Sequence, residues 1–469
     1  MSLSGGNSRR ERIIDALFFV GIILSASIII IPHLLPEPPT PPPEITLNIL
    51  SVFDVTILSQ IESSFLDSPY AEDHNIVNID WVGVDTTVWD ILIRESSNDL
   101  VLGPWDIIDS LGQAGFLHPI ADLTHITVNE SIAGVALKGH SENQTVWCSV
   151  ATRNTIFELL VNDTLLSEYG LEIPETFEEL LYPTFYPEEL GFSLIGLDDP
   201  STGLVEYQLQ NFLTKAYSWA DGIQNLTLLF ANSMLYSHEG DALEALFEGD
   251  TGIAMTVFNA QDLDPLPETV QRTHLQNMVI VNPTAVAISN ESKHVSQSDA
   301  FIEFLLSPDG QKIWLEQSNL FPVRREAFEM MGEEIDDRIF SEFNWTSRTT
   351  GFGVSMTYTD ESTALGVYMD STAIVPYSNL THCWRSIVDA YNNGSIDELQ
   401  LRNFATELGE PLTFLSPISG ENETFTREYA IEIQYTLYGE PYAETIIQLW
   451  RETANLRYER ILNELSTLF

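Results

Sequence analysis

Asp99 to Leu123 reads DLVLGPWDIIDSLGQAGFLHPIADL, and its periodicity changes at a single glycine-proline pair. Asp99 to Leu102 is a short apolar run with strand character. Gly103 and Pro104 break it, and WDIIDSLGQAGFL then sets Ile107, Ile108, Leu111 and Ala114 on one helical face. A strand passing through a tight turn straight into a helix is the repeating unit of an open α/β sheet. The same alternation recurs on both sides. Ile45 onward is strand-like, Val55 to Phe65 helical, and Asn75 to Trp81 a second strand. Gly191 to Asp199, GFSLIGLDD, leads through PSTG into an amphipathic helix at Leu204 to Ala216, and the helix Ala242 to Glu248 precedes the strand-like TGIAMTVFN. Phe301 to Arg324 is a helix pair split at Ser307, the N-cap, and Pro308, the first helical position. From about Ser371 the chain is mostly helical, with an interruption near Pro411 to Glu423 and a last helix over Ala443 to Leu465.

Composition bounds what such a chain can bind. With 469 residues, 44% of them hydrophobic, there is material for two or three domains with sizeable cores. Its 69 acidic against 20 basic residues give a formal charge of −49, which repels polyphosphate and provides no basic stripe for nucleic acid. Ile13 to Ile31 carries one charge, Asp15, and as a helix would span about 28 Å, enough to cross a bilayer core. Arg9, Arg10 and Arg12 precede it and Glu37 and Glu44 follow, so the expected topology is a short cytoplasmic tail (1–12), a single transmembrane anchor (13–31) and everything else outside the cell. A cleaved signal peptide is the alternative; the apolar run is long for one, and its small residues lie inside it. Residues 32–44 are proline-rich and extended, a stiff spacer.

Nine glycosylation sequons fit an outside location: Asn129, Asn143, Asn162, Asn225, Asn290, Asn344, Asn379, Asn393 and Asn422. Cys148 and Cys383 are the only cysteines, which excludes a disulfide scaffold and leaves one bridge or two buried thiols. Catalytic spacings are missing: there is no GxSxG, no Walker loop, no GxGxxG after a strand, and His238-Glu239 has no second histidine. His118, His125 and His140 lack ligand spacing, so no metal and no cofactor is expected. Adjacent Asp198 and Asp199 at a strand end point opposite ways, which suits a helix cap better than a carboxylate pair for hydrolysis. The turn DDPSTG that follows them can present open backbone N–H groups, Ser201 and Thr202 among them, to an anionic or polyhydroxyl group. Single tryptophans can stack on a ligand or fill a core.

In order along the chain, several stretches resemble the extracellular solute-binding proteins of ABC importers, the large family that includes maltose- and other sugar-binding proteins and shades into ferric-ion and polyamine binders. Asp99 to Leu123 is similar to that family's strand, site turn and helix. LVNDTLLSEYGLEIPETFEELL (Leu160 to Leu181), FEGDTGIAMT (Phe247 to Thr256), the helix pair ending in Phe321-Pro322-Val323-Arg324, and IVPYSNLTHCWRSIVDAYNNGS (Ile374 to Ser395) resemble later family segments. Val161 departs from the family's common tyrosine, and the paired tyrosines of ferric binders are not evident.

The resemblance implies a two-lobed, type II periplasmic-binding-protein-like α/β fold behind the anchor. Lobe 1 would hold 45–148 and 284–322, lobe 2 would hold 149–283 and 323–469, and Phe321 to Arg324 would cross the hinge. The ligand-binding set it implies, with the turns above, is Asp54, Gly103, Trp105, Asp106, Ser201, Thr202, Phe258, Asn259 and Trp384. The expected function is non-enzymatic: a membrane-anchored extracellular receptor capturing a small solute, a sugar or another polar molecule, for an ABC permease. A tethered sensor or adhesion module of the same fold and, further off, an extracellular hydrolase are the other readings.

Overall fold

The computed structural model describes residues 43–95, 98–120, 131–132, 135–141, 144–182, 193–199, 204–257, 266–318, 320–332, 335, 337–349, 360–437 and 442–468. The expected anchor and most of the proline-rich spacer lie outside them. Among the described residues no helix is long and apolar enough to cross a membrane.

Strand β1 (Ile45–Ser51) is followed by helix α1 (Val55–Leu66), which turns Ile57, Leu58, Ile61 and Phe65 inward. β2 (Ile76–Gly83), α2 (Trp89–Glu95), β3 (Leu100–Pro104) and α3 (Trp105–Gln113) continue the alternation. The chain then enters β4 (Gln144–Asn162), one strand of 19 residues. Beyond it come β5 (Ile195–Asp198), α4 (Leu204–Ala216), α5 (Trp219–Ala231), β6 (Met234–Tyr236), α6 (Asp241–Glu248) and β7 (Ile253–Val257). A second long strand, β8 (Val270–Ser289, 20 residues), returns to the start. It is followed by α7 (Val295–Leu306), α8 (Pro308–Ser318), β9 (Phe321–Pro322), α9 (Glu326–Met331) and α10 (Asp337–Thr346). The C-terminal part holds α11 (Asp360–Met369), α12 (Tyr377–Asn392), α13 (Glu398–Gly409), a hairpin of β10 (Thr413–Leu415) and β11 (Asn422–Thr424), α14 (Arg427–Leu437) and α15 (Ala443–Ser466).

The main sheet runs β6-β5-β7-β4-β8-β3-β1-β2. Strands β1, β2 and β3 are parallel, as are β5 with β6 and β5 with β7, so each end of the sheet is an α/β layer. Antiparallel β4 and β8 belong to both ends and form a ribbon joining two lobes. Pro283, which has no N–H to donate, and a bulge at Val150 opposite Thr284 and Ala285 interrupt the ladder where the ribbon leaves lobe 1. The carbonyl freed at the bulge is not wasted. Gln311, wholly buried on α8, donates to Val150 O (2.5 Å) and Leu305 O (2.8 Å) and accepts from Val323 N (2.7 Å) and Arg324 N (3.2 Å). β9 pairs with β4 at Thr152 and Ala151, so Phe321 to Arg324 lies against the ribbon, pinned to the bulge by one side chain.

Two large apolar clusters correspond to the lobes, and they divide later on β4 and after β9, and earlier on β8, than the boundaries expected from resemblance. Ile156, Val279, Val281, Phe328, Met331 and Phe343 belong with lobe 1, while Phe157 and Ile280 belong with lobe 2. Successive strand residues face opposite sides, so the changeover happens between neighbours. Helices α9 and α10 therefore side with lobe 1, as do Phe321 and Val323, so the hinge crossing expected at Phe321 to Arg324 does not occur there: the chain touches the ribbon and turns back onto lobe 1. Cys148 and Cys383 are both free and buried, one in each cluster. Among the sequons, Asn162 is buried and spends its side chain accepting from Leu165 N (3.0 Å), which leaves no room for a glycan; Asn290, Asn379, Asn393 and Asn422 are exposed.

Candidate functional site

The C-terminal ends of the parallel strands of lobe 1 come together at one edge, where Ser51 pairs with both Gly83 and Leu102. This is the position at which open α/β sheets hold ligands. Pro104, two residues past Leu102, pairs with Thr284, and Thr284 with Ala151, so the edge runs directly onto the ribbon.

The two faces of the ribbon differ. Thr152, Asn154, Ile156 and Glu158 share one face by alternation, and Glu158 is bound there to Arg338 of α10. Arg153, Thr155 and Phe157 share the other, where Phe157 packs on Phe212 of α4 at a ring separation of 5.3 Å. Between that contact and lobe 1 the second face is open. Arg153 is exposed, and Thr155 and Asn282, the register partner of Arg153, are half-buried. This open stretch lies between the ends of the ribbon that belong to the two lobes. Burial pushes the amine of Lys215 on α4 down from its ordinary value, with Arg427 adding to that and Glu361 and Asp106 of α3 opposing it.

On the covered face lies a buried charged junction. Glu158, fully inaccessible, accepts from Arg272 Nη1 (3.2 Å) and Arg338 Nη2 (3.3 Å), while His274 Nε2 stands 2.6 Å from Glu342 Oε2 and 3.5 Å from Glu158 Oε1. Burial alone would lower the imidazole, but the hydrogen bonds and charges of the two carboxylates outweigh it and raise His274 to about 9. Burial would likewise raise Glu158, yet the His274 hydrogen bond and the two guanidinium charges hold it below the usual range. Trp345 stacks on the imidazole at 4.5 Å. Ligand atoms of Glu158, His274 and Glu342 all lie within 4.8 Å of one another, close enough for a divalent ion. Two guanidinium groups on Glu158 and a protonated imidazole oppose that use, and the cluster is an ion-pair junction between ribbon and helix.

The expected ligand-binding residues separate on this frame. Trp105 and Asp106 stand at the lobe 1 edge, half-buried, on a helix whose N-terminus has no side-chain cap. The indole N–H of Trp105 is enclosed and has no acceptor, and its ring lies 6.3 Å from that of Trp147, whose own N–H donates to Asp109 (2.8 Å). Asp54 caps α1, accepting from Thr56 N and Ile57 N, so its carboxylate is already engaged. Gly103 faces Trp89 so closely that a Cβ would lie 2.7 Å from Cη2; packing accounts for the glycine. Trp384 is wholly buried in lobe 2, donating to Asn232 Oδ1 (3.1 Å), and presents no open ring face for a solute to stack on. Ser201, Thr202, Phe258 and Asn259 lie outside the described residues. Asp198 is a cap, though for α6 and not for the helix next to it, accepting from Gly240 N (2.7 Å) and Ala242 N (2.9 Å). Arg153, Thr155 and Asn282, which line the open face, were not among the expected residues; a charged and an amide side chain, each interrupting a long apolar strand, were the available signal.

Comparison with known proteins bears on the whole arrangement. The phosphoglycerate transport regulatory proteins PgtC of Salmonella typhimurium and Salmonella typhi are each 26% identical over 166 residues, 35% of this chain and 40% of theirs. The chain thus matches less than half the length of these relatives. The solved structure of the bacterial solute receptor AcbH, described as exclusive for β-D-galactopyranose, aligns over 72% of this chain and 96% of its own, with a TM-score of 0.52 and 12% identity. That likeness establishes the two-lobed, periplasmic-binding-protein-like α/β fold. The model of the bacterial extracellular solute-binding proteins, a family of binding proteins and not enzymes, matches residues 68–338, more than half of the chain. This chain belongs to the bacterial extracellular solute-binding protein family.

Proposed function

We propose that the protein is the capture subunit of an ABC importer. A small polar solute enters between the lobes, settles on the open face of the ribbon, and is enclosed as the lobes close about it. Residues 13–31 hold the receptor at the outer face of the cell membrane, residues 32–44 space it from the surface, and a permease in the same membrane receives the solute. The observation that carries this reading is the ribbon itself: one face is sealed by α10, and the other is left open at Arg153, Thr155 and Asn282 between two α/β edges.

Thermal melts of the purified protein against sugars, phosphoglycerate, polyamines, peptides and metal ions test it. A solute at a hundred times its dissociation constant raises stability by about 2.7 kcal/mol. No response to any small solute, together with tight binding to another protein, would overturn capture and transport. That second outcome would favour a tethered sensor, which the regulatory name of the PgtC relatives makes the next reading.

A further inference from the structure

We infer that the captured solute is an anion, a small molecule bearing a carboxylate or a phosphate, and that Arg153 on the cleft floor selects it. The inference rests on the capture reading above and narrows it to a class of solute.

Arg153 sits at the middle of the ribbon, opposite Asn282, on the face turned away from α10 and toward the side that α4 covers further along. Its side chain is exposed and makes no ion pair or hydrogen bond among the described residues. Its neighbours in the hinge region are differently placed. Arg272 and Arg338 are bound to Glu158, and Arg324 donates to Leu306 O (2.8 Å) and lies 3.4 Å from Glu326. In a chain with 69 acidic and 20 basic residues, an uncompensated cation on the floor of a cleft is the opposite of what bulk composition supplies.

Closure makes the charge decisive. As the lobes approach, the guanidinium loses water, and a cation enclosed without a counter-charge is strongly disfavoured. A carboxylate or phosphate restores the balance and can accept two parallel N–H bonds from the planar fork. A neutral sugar leaves the charge uncompensated, and a polyamine or metal ion is repelled by it. Thr155 and Asn282 flank Arg153 on the same face with neutral donors, suited to the remaining oxygens of such a solute.

The test uses the full-length protein at constant ionic strength, with inorganic phosphate, 3-phosphoglycerate, citrate, maltose and spermidine as probes, in thermal melts followed by calorimetric titration. Stabilisation by one or more of the three anions and not by maltose or spermidine is expected. Citrate alone would identify a carboxylate site, and phosphate or phosphoglycerate alone a phosphate site. Arg153→Gln should weaken that binding about 10- to 100-fold, with the unliganded melt unchanged, and Arg153→Lys should recover part of it. Tight binding of maltose or spermidine, unaffected by Arg153→Gln, would overturn anion selection and leave the capture reading standing. Binding of none of the five would overturn anion selection, and the wider screen above would then decide capture on its own.

Discussion

His274 and Glu342 meet at 2.6 Å on the closed side of the hinge ribbon, joining a strand shared by both lobes to a helix packed with lobe 1. Because the imidazole is raised to about 9, it is charged in the folded protein over the neutral range. A folded value above the unfolded one means the contribution is complete below about pH 6.5 and disappears as pH rises through 9. Glu158, held low, contributes above the ordinary carboxylate range and loses its contribution as pH falls. Stability should therefore decline from pH 6.5 to 9 by about 1–3 kcal/mol more than in His274→Gln, measured by urea denaturation across that range. Parallel pH profiles for the two proteins would refute the assignment.

Asn154 and Thr152 face the same sealed side, both buried, with no hydrogen-bond partner for the amide or the hydroxyl among the described residues. An unsatisfied buried polar group costs about 1–3 kcal/mol, so apolar replacements of similar shape should stabilise. Asn154→Leu combined with Thr152→Val should raise the urea midpoint without changing its slope. A lower midpoint would mean that these groups have partners in solution.

Gln311 is the opposite case, with all of its side-chain polar atoms in use between the bulge of β4 and the Phe321 to Arg324 segment. Gln311→Leu strands Val150 O and Val323 N in the interior and should cost about 2–4 kcal/mol. Hydrogen exchange at Val323 and Arg324 should rise selectively, and an unchanged rate there would show that the segment is held by other means.

The two tryptophans expected at the site should behave differently. Trp384→Phe removes the indole that Asn232 accepts from and leaves a void, lowering stability by about 1–3 kcal/mol with solute affinity unaltered. Trp105→Phe leaves the melt of the free protein nearly in place and weakens solute binding. Equal loss of affinity in both would return Trp384 to the site.

The α/β alternation was legible because helix starts leave a local mark: Gly103-Pro104, Thr176 accepting from Glu179 N, and Ser307-Pro308 are turn or cap chemistry within a few residues. The fate of Trp384 was legible too, since Leu380, Cys383, Trp384, Ile387 and Val388 form a stripe at helical spacing that is buried throughout. The full length of β4 was harder to see, because Arg153 and Asn154 break the apolar pattern at the point where the strand stops being a core strand and becomes a hinge. The charged junction had no local signature. Glu158, His274 and Glu342 come from three distant segments, and only the register of β4 against β8 and the placement of α10 bring them together.

Strand β3 pairs with β8 through Leu100 and Ile288, and β4 with β9 through Ala151 and Pro322. Neither lobe is a continuous length of chain. During synthesis at about 5–20 residues per second, the first three strands wait roughly 10–40 seconds for the neighbour that completes their sheet. Pairings of such long range also close slowly once both partners exist. The nascent protein thus stays loose for most of its translation and becomes compact only after both strands of the ribbon have been made.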